Sequence, residues 1–555
     1  MKIKVSELIV KYLQYLGIDT IFGIPGAHIL PVYDALYDSD IQAVLAKHEQ
    51  GAAFMAGGYA KASTRISACI ATAGPGATNL ITGIANAYAD KQPMLVITGE
   101  TPTYIFGKGG LQESSGEGDS LDQTGLFKHI TRYSKTVERT DYLPQVLIQA
   151  TKALLNPNPG PVLLSIPFNV QKELVDEHLL DGLAIRPDPI PSPQNSGVLD
   201  RFSELILDAR QPVILAGYGA IRSDARKVVT ELSTLLHIPV ASSLKGKGIV
   251  SEQSGLSLGS LGVTSNGTAY QYITEKSDLL IILGASFNER TSYLWDQSLL
   301  EGRKILQVDH DPHQLQKLFE AELTICGDIK QVVSVLLNKI RYRLGEENHT
   351  AVGNDGATRL TASSNAEHAI FKSGFSLAKA FFDKLALLFP ENARVFDDNI
   401  IFAQNFYQVS SSNHYYPNCG ISSLGHAIPA AIGAQFTRQR PTFAILGDGG
   451  FQMCCMEIMT AINYDKPINV VLFNNGTMGL IRKNQHLLYE QRFINCDFIN
   501  PDYSLLARSF AINYKRVTTL ADLDELFEQY DLNQAINLID IAIDKDALPD
   551  YSSKR

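Results

Sequence analysis

The chain of 555 residues carries one tryptophan, Trp295, beside 24 phenylalanines and 23 tyrosines. Cysteine is also scarce. Its six thiols (Cys69, Cys326, Cys419, Cys454, Cys455 and Cys496) form no C-x-x-C pair. They exclude a disulfide framework and read as small packed hydrophobes in a reducing cytoplasm. Basic residues are not in excess: 48 Lys plus Arg stand against 58 Asp plus Glu, a net charge of −10. That balance argues against nucleic acid as a partner, for which a basic face is the usual footprint. No stretch approaches the ~18 consecutive apolar residues of a membrane span, so no membrane association is expected. The opening MKIKVSELIVKYLQYLG is interrupted by Glu7 and Lys11 and reads as an amphipathic helix, not a signal peptide.

What is present is enough for several cores. The chain is 45% hydrophobic and 19% charged, and at ~150 residues per domain it suggests three or four domains. Two breaks divide it. One is IRPDPIPSP, where Pro187, Pro189, Pro191 and Pro193 alternate and forbid a helix or a central strand. The other is the polar stretch 345–368, which reads as a linker. The expected domains are therefore 1–185, 195–343 and 369–550.

The first and third blocks repeat one pattern. SACIAT runs into Ala73-Gly74-Pro75-Gly76, an apolar helix, Asp90-Lys91-Gln92-Pro93 and MLVIT. TFAIL runs into Gly447-Asp448-Gly449-Gly450, a helix, Asp465-Lys466-Pro467 and INVVLF. Each reads as a βαβ unit with parallel strands, so the outer domains should be related and the middle one different. The middle block has α/β signals of its own. Its Gly217-Tyr218-Gly219 lacks a third glycine and reads first as a tight turn after a strand.

The third block is the most informative. Asp448 falls where a parallel strand gives way to a helix, and Asn474 and Asn475 end the next strand. The carboxyl ends of such neighbouring strands converge at the crevice where α/β sheets bind ligands. Glycines at 447, 449 and 450 let a ligand approach the backbone, and a helix starting near Phe451 favours an anion. A carboxylate, an amide oxygen and a nearby carbonyl form a hard donor set, suited to a Mg²⁺ that shares a diphosphate.

GDGGFQMCCMEIMTAINYDKPINVVLFNN resembles the thiamine-diphosphate motif, in which GDG precedes NN by some 25 residues. GIPGAHILPVYDAL, KHEQGAAFMAGGYAK, TAGPGATNL and LGHAIPAAIGA extend the resemblance along nearly the whole chain. It is to the acetolactate (acetohydroxyacid) synthase branch of thiamine-diphosphate enzymes. The fold implied is α/β with three domains, pyrimidine-binding, central and diphosphate-binding, each a parallel sheet flanked by helices. The resemblance also implies a homodimer or homotetramer with sites shared between subunits. Asp448, Asn475 and the Thr477 carbonyl would hold Mg²⁺, with Gly447, Gly449, Gly450, Met478 and Asn399 around the cofactor. Glu49 matches the catalytic glutamate that bonds N1′ of the aminopyrimidine. Leu424 matches the apolar residue beneath the bent cofactor, and the Ser422 carbonyl would accept from its 4′-amine. Asp398 stands with Asn399 where typical synthases carry glutamine and histidine, after the first strand of the third block.

The implied reaction is decarboxylation of a 2-oxo acid, pyruvate first, and ligation of the remaining fragment to a second carbonyl compound. Ala27 occupies the position after GxPG where decarboxylases carry an acidic or hydroxyl side chain, and it cannot relay a proton. His28 would face the cavity or form its rim. Gln112 and Glu113 keep the family pair within the longer LQESSGEGDSLDQTGLF, which either reshapes the entrance or is a surface loop. Asn484 stands where synthases that favour 2-oxobutyrate have tryptophan, which argues against the full branched-chain role. Bulkier or aromatic 2-oxo acids are the alternative substrates. FAD stays open: the middle block keeps a stretch ending in Asn288-Glu289-Arg290 and the Asp309-x-Asp311-Pro312 motif. However, it has Thr264-Ser265 where flavin-binding members have His-Gly, and a flavin-dependent pyruvate oxidase is the corresponding alternative.

Overall fold

The computed structural model describes residues 1–183, 196–346, 370–371 and 373–551. The alternating prolines, and all but the first two residues of the polar stretch, lie outside these. Gly345 and Glu346 instead finish the helix Ile329–Glu346. An antiparallel pair joins β1 (Lys2–Lys4) to β8 (Leu174–Asp176). The other described strands form three six-stranded parallel sheets.

The first sheet contains β2 (Thr20–Gly23), β3 (Gln42–Leu45), β4 (Ser67–Ala71), β5 (Met94–Glu100), β6 (Tyr133–Thr136) and β7 (Pro161–Pro167). Their spatial order is β3-β2-β4-β5-β7-β6. The second holds β9 (Pro212–Ala216), β10 (Val240–Ser242), β11 (Ser257–Ser260), β12 (Leu279–Leu283), β13 (Lys304–Asp309) and β14 (Leu323–Cys326), ordered β11-β10-β9-β12-β13-β14. The third holds β15 (Arg394–Asp397), β16 (His414–Pro417), β17 (Thr442–Gly447), β18 (Asn469–Asn474), β19 (Asn513–Val517) and β20 (Asn537–Ala542), ordered β16-β15-β17-β18-β20-β19. The outer sheets share one order, second-first-third-fourth-sixth-fifth, and the middle sheet has another. The repeated motif in the sequence is thus a repeated topology. Central strands such as SACIA and LLIIL are buried along their whole length, as expected where helices cover both faces.

The outer units share a core. Phe22, Met55 and Leu80 from the first belong to one buried cluster with Phe396, Ile428 and Leu472 from the third. Its seam is the crossing of two small-residue helices, Glu49–Ser63 and Ala427–Gln435. A Cβ on Gly58 would lie 1.9 Å from the Ala430 carbonyl oxygen, and one on Gly433 would lie 1.9 Å from that of Met55. The two backbones therefore touch, and no larger residue fits at either point. In the middle sheet the turns after β9 and β12 also meet backbone to backbone: Gly219 N–H donates to the Gly284 carbonyl at 3.0 Å.

Candidate active site

The carboxyl ends of β15, β17 and β18 open into a cavity of about 300 Å³. Asp448 is the first residue of the helix Asp448–Cys454. The helix begins inside the glycine turn, three residues earlier than the sequence suggests. The Asp448 carboxylate is tightly held. Its Oδ2 accepts from the N–H groups of Asn475 (3.2 Å) and Gly476 (2.6 Å) and from Asn500 Nδ2 (2.8 Å). Oδ1 accepts only from Gly449 N–H at 3.1 Å, so it keeps acceptor capacity for a cation. Burial pushes this carboxyl above its usual range, a cost that a bound divalent ion would reverse. Asn475 Oδ1 accepts from Thr477 N–H at 3.2 Å, which turns the chain so that Asn475, Thr477 and Met478 all line the cavity beside Asp448.

Two of the glycines sit close to neighbouring side chains. A Cβ on Gly449 would come within 2.4 Å of Met478 Sδ, and one on Gly450 within 2.9 Å of Asp398 Oδ2. Gly447, Gly449, Gly450, Asn399 and Leu424 all line the same cavity. Asn399 sits in the left-handed region (φ 67°). Its Nδ2 donates to the Ser422 carbonyl at 3.4 Å, while its buried Oδ1 has no partner. Ser422 itself is exposed with φ 58°.

Asp398 lines the same cavity beside Asn399. Its carboxylate accepts from Gly425 N–H (2.7 Å), His426 N–H (3.3 Å) and Asn418 Nδ2 (3.1 Å). It thereby pins the loop that carries Leu424. Burial, with Asp397 beside it, raises its pKa to about 7.

The amino-terminal residues gather elsewhere, at the ends of β2 and β4. Glu49 opens the helix Glu49–Ser63 and accepts from Asn79 Nδ2 at 3.0 Å. A Cβ on Gly76 would lie 3.6 Å from Glu49 Oε1 and 2.9 Å from Thr72 Cγ2. Thr72 Oγ1 accepts from His28 N–H at 3.3 Å, with Ala27 adjacent. The His28 ring meets the Leu111 carbonyl at 2.9 Å, and Gln112 (φ 58°) packs on Gly74. Glu49, Ala27, His28 and Gln112 therefore form one half-site, and the cavity at Asp448 forms another. None of these four lines the cavity, and neither does Asn484, whose place on the helix Gly479–Leu488 is taken by Leu480 and Ile481.

Three contributors escaped the sequence reading. Asn500 braces Asp448 and donates to Asn474 Oδ1 (2.9 Å) from an irregular segment with no motif of its own. Glu457 accepts from the N–H groups of Lys47 (3.1 Å) and His48 (2.9 Å), fixing the residues just before Glu49. Arg290, from the middle unit, reaches the cavity with a buried Nη1 that has no partner among the described residues. Its side-chain direction depends on a loop whose path the sequence does not show.

The donor set fits a cation held with a diphosphate: one carboxylate, one amide oxygen and a carbonyl, under a glycine cradle. Among the described residues no three His, Cys, Asp or Glu side chains gather as an alternative metal site. Nor is any described helix long and apolar enough to cross a membrane.

Comparison with known proteins places this geometry. Residues 3–122 match the thiamine pyrophosphate enzyme N-terminal TPP binding domain, 199–336 the central domain and 399–541 the C-terminal TPP binding domain. The chain is 31% identical to the probable acetolactate synthase large subunit of Methanococcus aeolicus, over 97% of this chain and 92% of that one. It is 32% identical to the probable acetolactate synthase large subunit of Methanocaldococcus jannaschii, over 98% and 93%. It is 29% identical to the acetolactate synthase isozyme 2 large subunit of Escherichia coli (strain K12), over 97% and 95%.

Proposed function

This chain belongs to the thiamine pyrophosphate enzymes, among relatives of the acetolactate synthases, and from that premise we propose that it is a Mg²⁺-dependent carboligase of 2-oxo acids. The observation that carries the reading is the cavity in which Asp448, Asn475 and Thr477 meet under Gly449 and Gly450. Thiamine diphosphate, when bound, supplies a nucleophilic carbon that adds to a 2-oxo acid and takes up the electrons left as carbon dioxide departs.

Asp448 Oδ1, Asn475 Oδ1 and the Thr477 carbonyl hold the Mg²⁺, and Asn475 N–H and Gly476 N–H keep the carboxylate in place. Asn399 Oδ1 and Leu424 border the ring-bearing part of the cofactor. Asp398 fixes the Leu424 loop, and so acts through it. Glu49 holds a proton at N1′ of the aminopyrimidine. Because Glu49 lies outside its own chain's cavity, the assembly is a homodimer or a dimer of dimers in which a partner subunit supplies that glutamate. The domains in this reading are 1–185, 195–343 and 369–550, one for each six-stranded sheet. Arg290 Nη1, buried and unpaired at the cavity wall, suits the carboxylate of a 2-oxo acid. Ala27 offers no acid beside the half-site of Glu49, which favours ligation over protonation.

The test is incubation of the purified protein with thiamine diphosphate, Mg²⁺ and a panel of 2-oxo acid donors and acceptors, with products identified by mass. Pyruvate should give acetolactate or another ligation product. Carbon dioxide with acetaldehyde alone would overturn the reading. The same preparation answers the flavin question, since a stoichiometric flavin would colour it yellow and redirect the reading toward oxidation.

A further inference from the structure

A second cavity, of about 20 Å³, lies where the three units meet and is lined by Lys61 and Asp90 from the first, Arg226, Lys245 and Lys247 from the second, and His414 from the third. Its charges do not balance. Asp90 is buried and takes both Lys61 Nζ (2.9 Å) and Lys245 Nζ (2.5 Å). Lys247 is paired with Glu252 at 2.8 Å. Arg226 donates to the Gly248 carbonyl (3.0 Å) and to His414 Nε2 (3.4 Å), which are both neutral groups. Asp224, whose charge Arg226 also feels, is exposed and already paired with Lys330 at 2.8 Å. Four cations thus stand with two carboxylates at and beside a partly open cavity.

The hydrogen-bond inventory points the same way. The Lys61 ammonium, with its side chain 4% exposed, has three N–H groups and one carboxylate. Because Arg226 donates to His414 Nε2, the neutral ring carries its proton on Nδ1, and that buried atom has no partner among the described residues. Burial and the neighbouring Arg226, Arg440 and Arg394 keep the ring uncharged by holding its pKa near 3. The cavity therefore presents spare donors and an excess of largely buried positive charge, a combination that is costly without a counter-ion.

We propose that this cavity is a buried anion site joining the three domains, holding one small inorganic anion of halide size between Lys61, Arg226 and Lys245. Its volume excludes a nucleotide or an organic phosphate. The anion would act as a structural clamp, since it touches all three units and lies outside the cavity of Asp448.

The experiment uses the holoenzyme with thiamine diphosphate and Mg²⁺, exchanged into gluconate at constant ionic strength and titrated with chloride, bromide or sulfate. Chloride and bromide should raise the Tm in proportion to the logarithm of their concentration, by about 1–2 °C for each tenfold above the dissociation constant. Sulfate acting as strongly would make it an oxyanion site and overturn the halide assignment. In Arg226→Gln and Lys245→Met the halide response should vanish. Lys245→Met leaves Asp90 paired with Lys61, so its fold should survive. Should a variant fail to fold, anomalous diffraction from bromide-soaked wild-type crystals decides, with a peak expected between Lys61 and Arg226. A halide response equal in wild type and variants, or a cavity without that peak, overturns the proposal.

Discussion

Replacing Gly433 with alanine tests the seam between the outer domains. In an open helix interior the change would stabilise by about 1 kcal/mol, because alanine is the better helix former. Here the new methyl carbon would lie 1.9 Å from the Met55 carbonyl oxygen, 2.5 Å from its carbonyl carbon and 2.6 Å from its Cα. Those are main-chain atoms in the middle of the helix Glu49–Ser63, so no rotamer change relieves the contact. The helices must part by about 1 Å, and overpacking of this kind costs ~1–3 kcal/mol. The upper end applies, since the reciprocal contact of Gly58 with Ala430 opens at the same time. The expected net loss is therefore about 2–3 kcal/mol by urea unfolding of the apoprotein followed by far-UV circular dichroism. Gly182→Ala, at a position with nothing within 4 Å of the new carbon, is the control and should change stability by less than about 0.5 kcal/mol. The turnover of Gly433→Ala should also fall, by up to ~100-fold, because the helix Ala427–Gln435 starts three residues after Leu424. A Gly433→Ala protein as stable as wild type would show that the backbones do not touch.

Three further outcomes follow from the site. Burial raises Asp398 to about 7 and Asp397 to about 6, so both carboxyls hold a proton more tightly folded than unfolded. Their contribution to stability is complete below about pH 4 and is lost as pH rises through 6 to 7; Asp398→Asn, which cannot ionise, should remove the step near pH 7 from urea midpoints measured between pH 5 and 8. Asp448→Asn should abolish the Mg²⁺-dependent thermal stabilisation by thiamine diphosphate while leaving the apoprotein folded, and an unchanged shift would displace the metal assignment. Glu49→Gln should bind the cofactor with similar affinity and lose at least ~100-fold in turnover; full activity would remove Glu49 from the chemistry.

The parts legible in the sequence are those that local connectivity fixes. Asp448 and Asn475 are joined by a single strand-helix-strand crossover, so their spacing carries their meeting, and Thr477 and Met478 follow within one turn. The related outer sheets were legible for the same reason, from repeated glycine and Asp-Lys turns. What escaped depends on side-chain direction or on distant segments. Asp398 directly follows β15 and lines the cavity, but that its carboxylate accepts from the Gly425 and His426 amides depends on a loop distant in sequence. Asn500 reaches Asp448 from 52 residues away. At the helix Gly479–Leu488 the motif position of Asn484 stands outside the wall, where Leu480 and Ile481 are found. Trp295, the oddity of composition, is half exposed in a turn where Tyr293, Leu294 and Trp295 all take positive φ.

In the proposed dimer, where Glu49 serves the cavity of the partner subunit, the separation of Glu49 from its own chain's cavity has a genetic consequence. Two inactive alleles, Glu49→Gln and Asp448→Asn, should complement one another when coexpressed. A mixed dimer joins the sound glutamate of one chain to the sound metal cradle of the other, and its second site carries both lesions. With random pairing in a twofold assembly, half the dimers are mixed and each has one intact site, so about a quarter of wild-type activity returns. Neither homodimer contains an intact site.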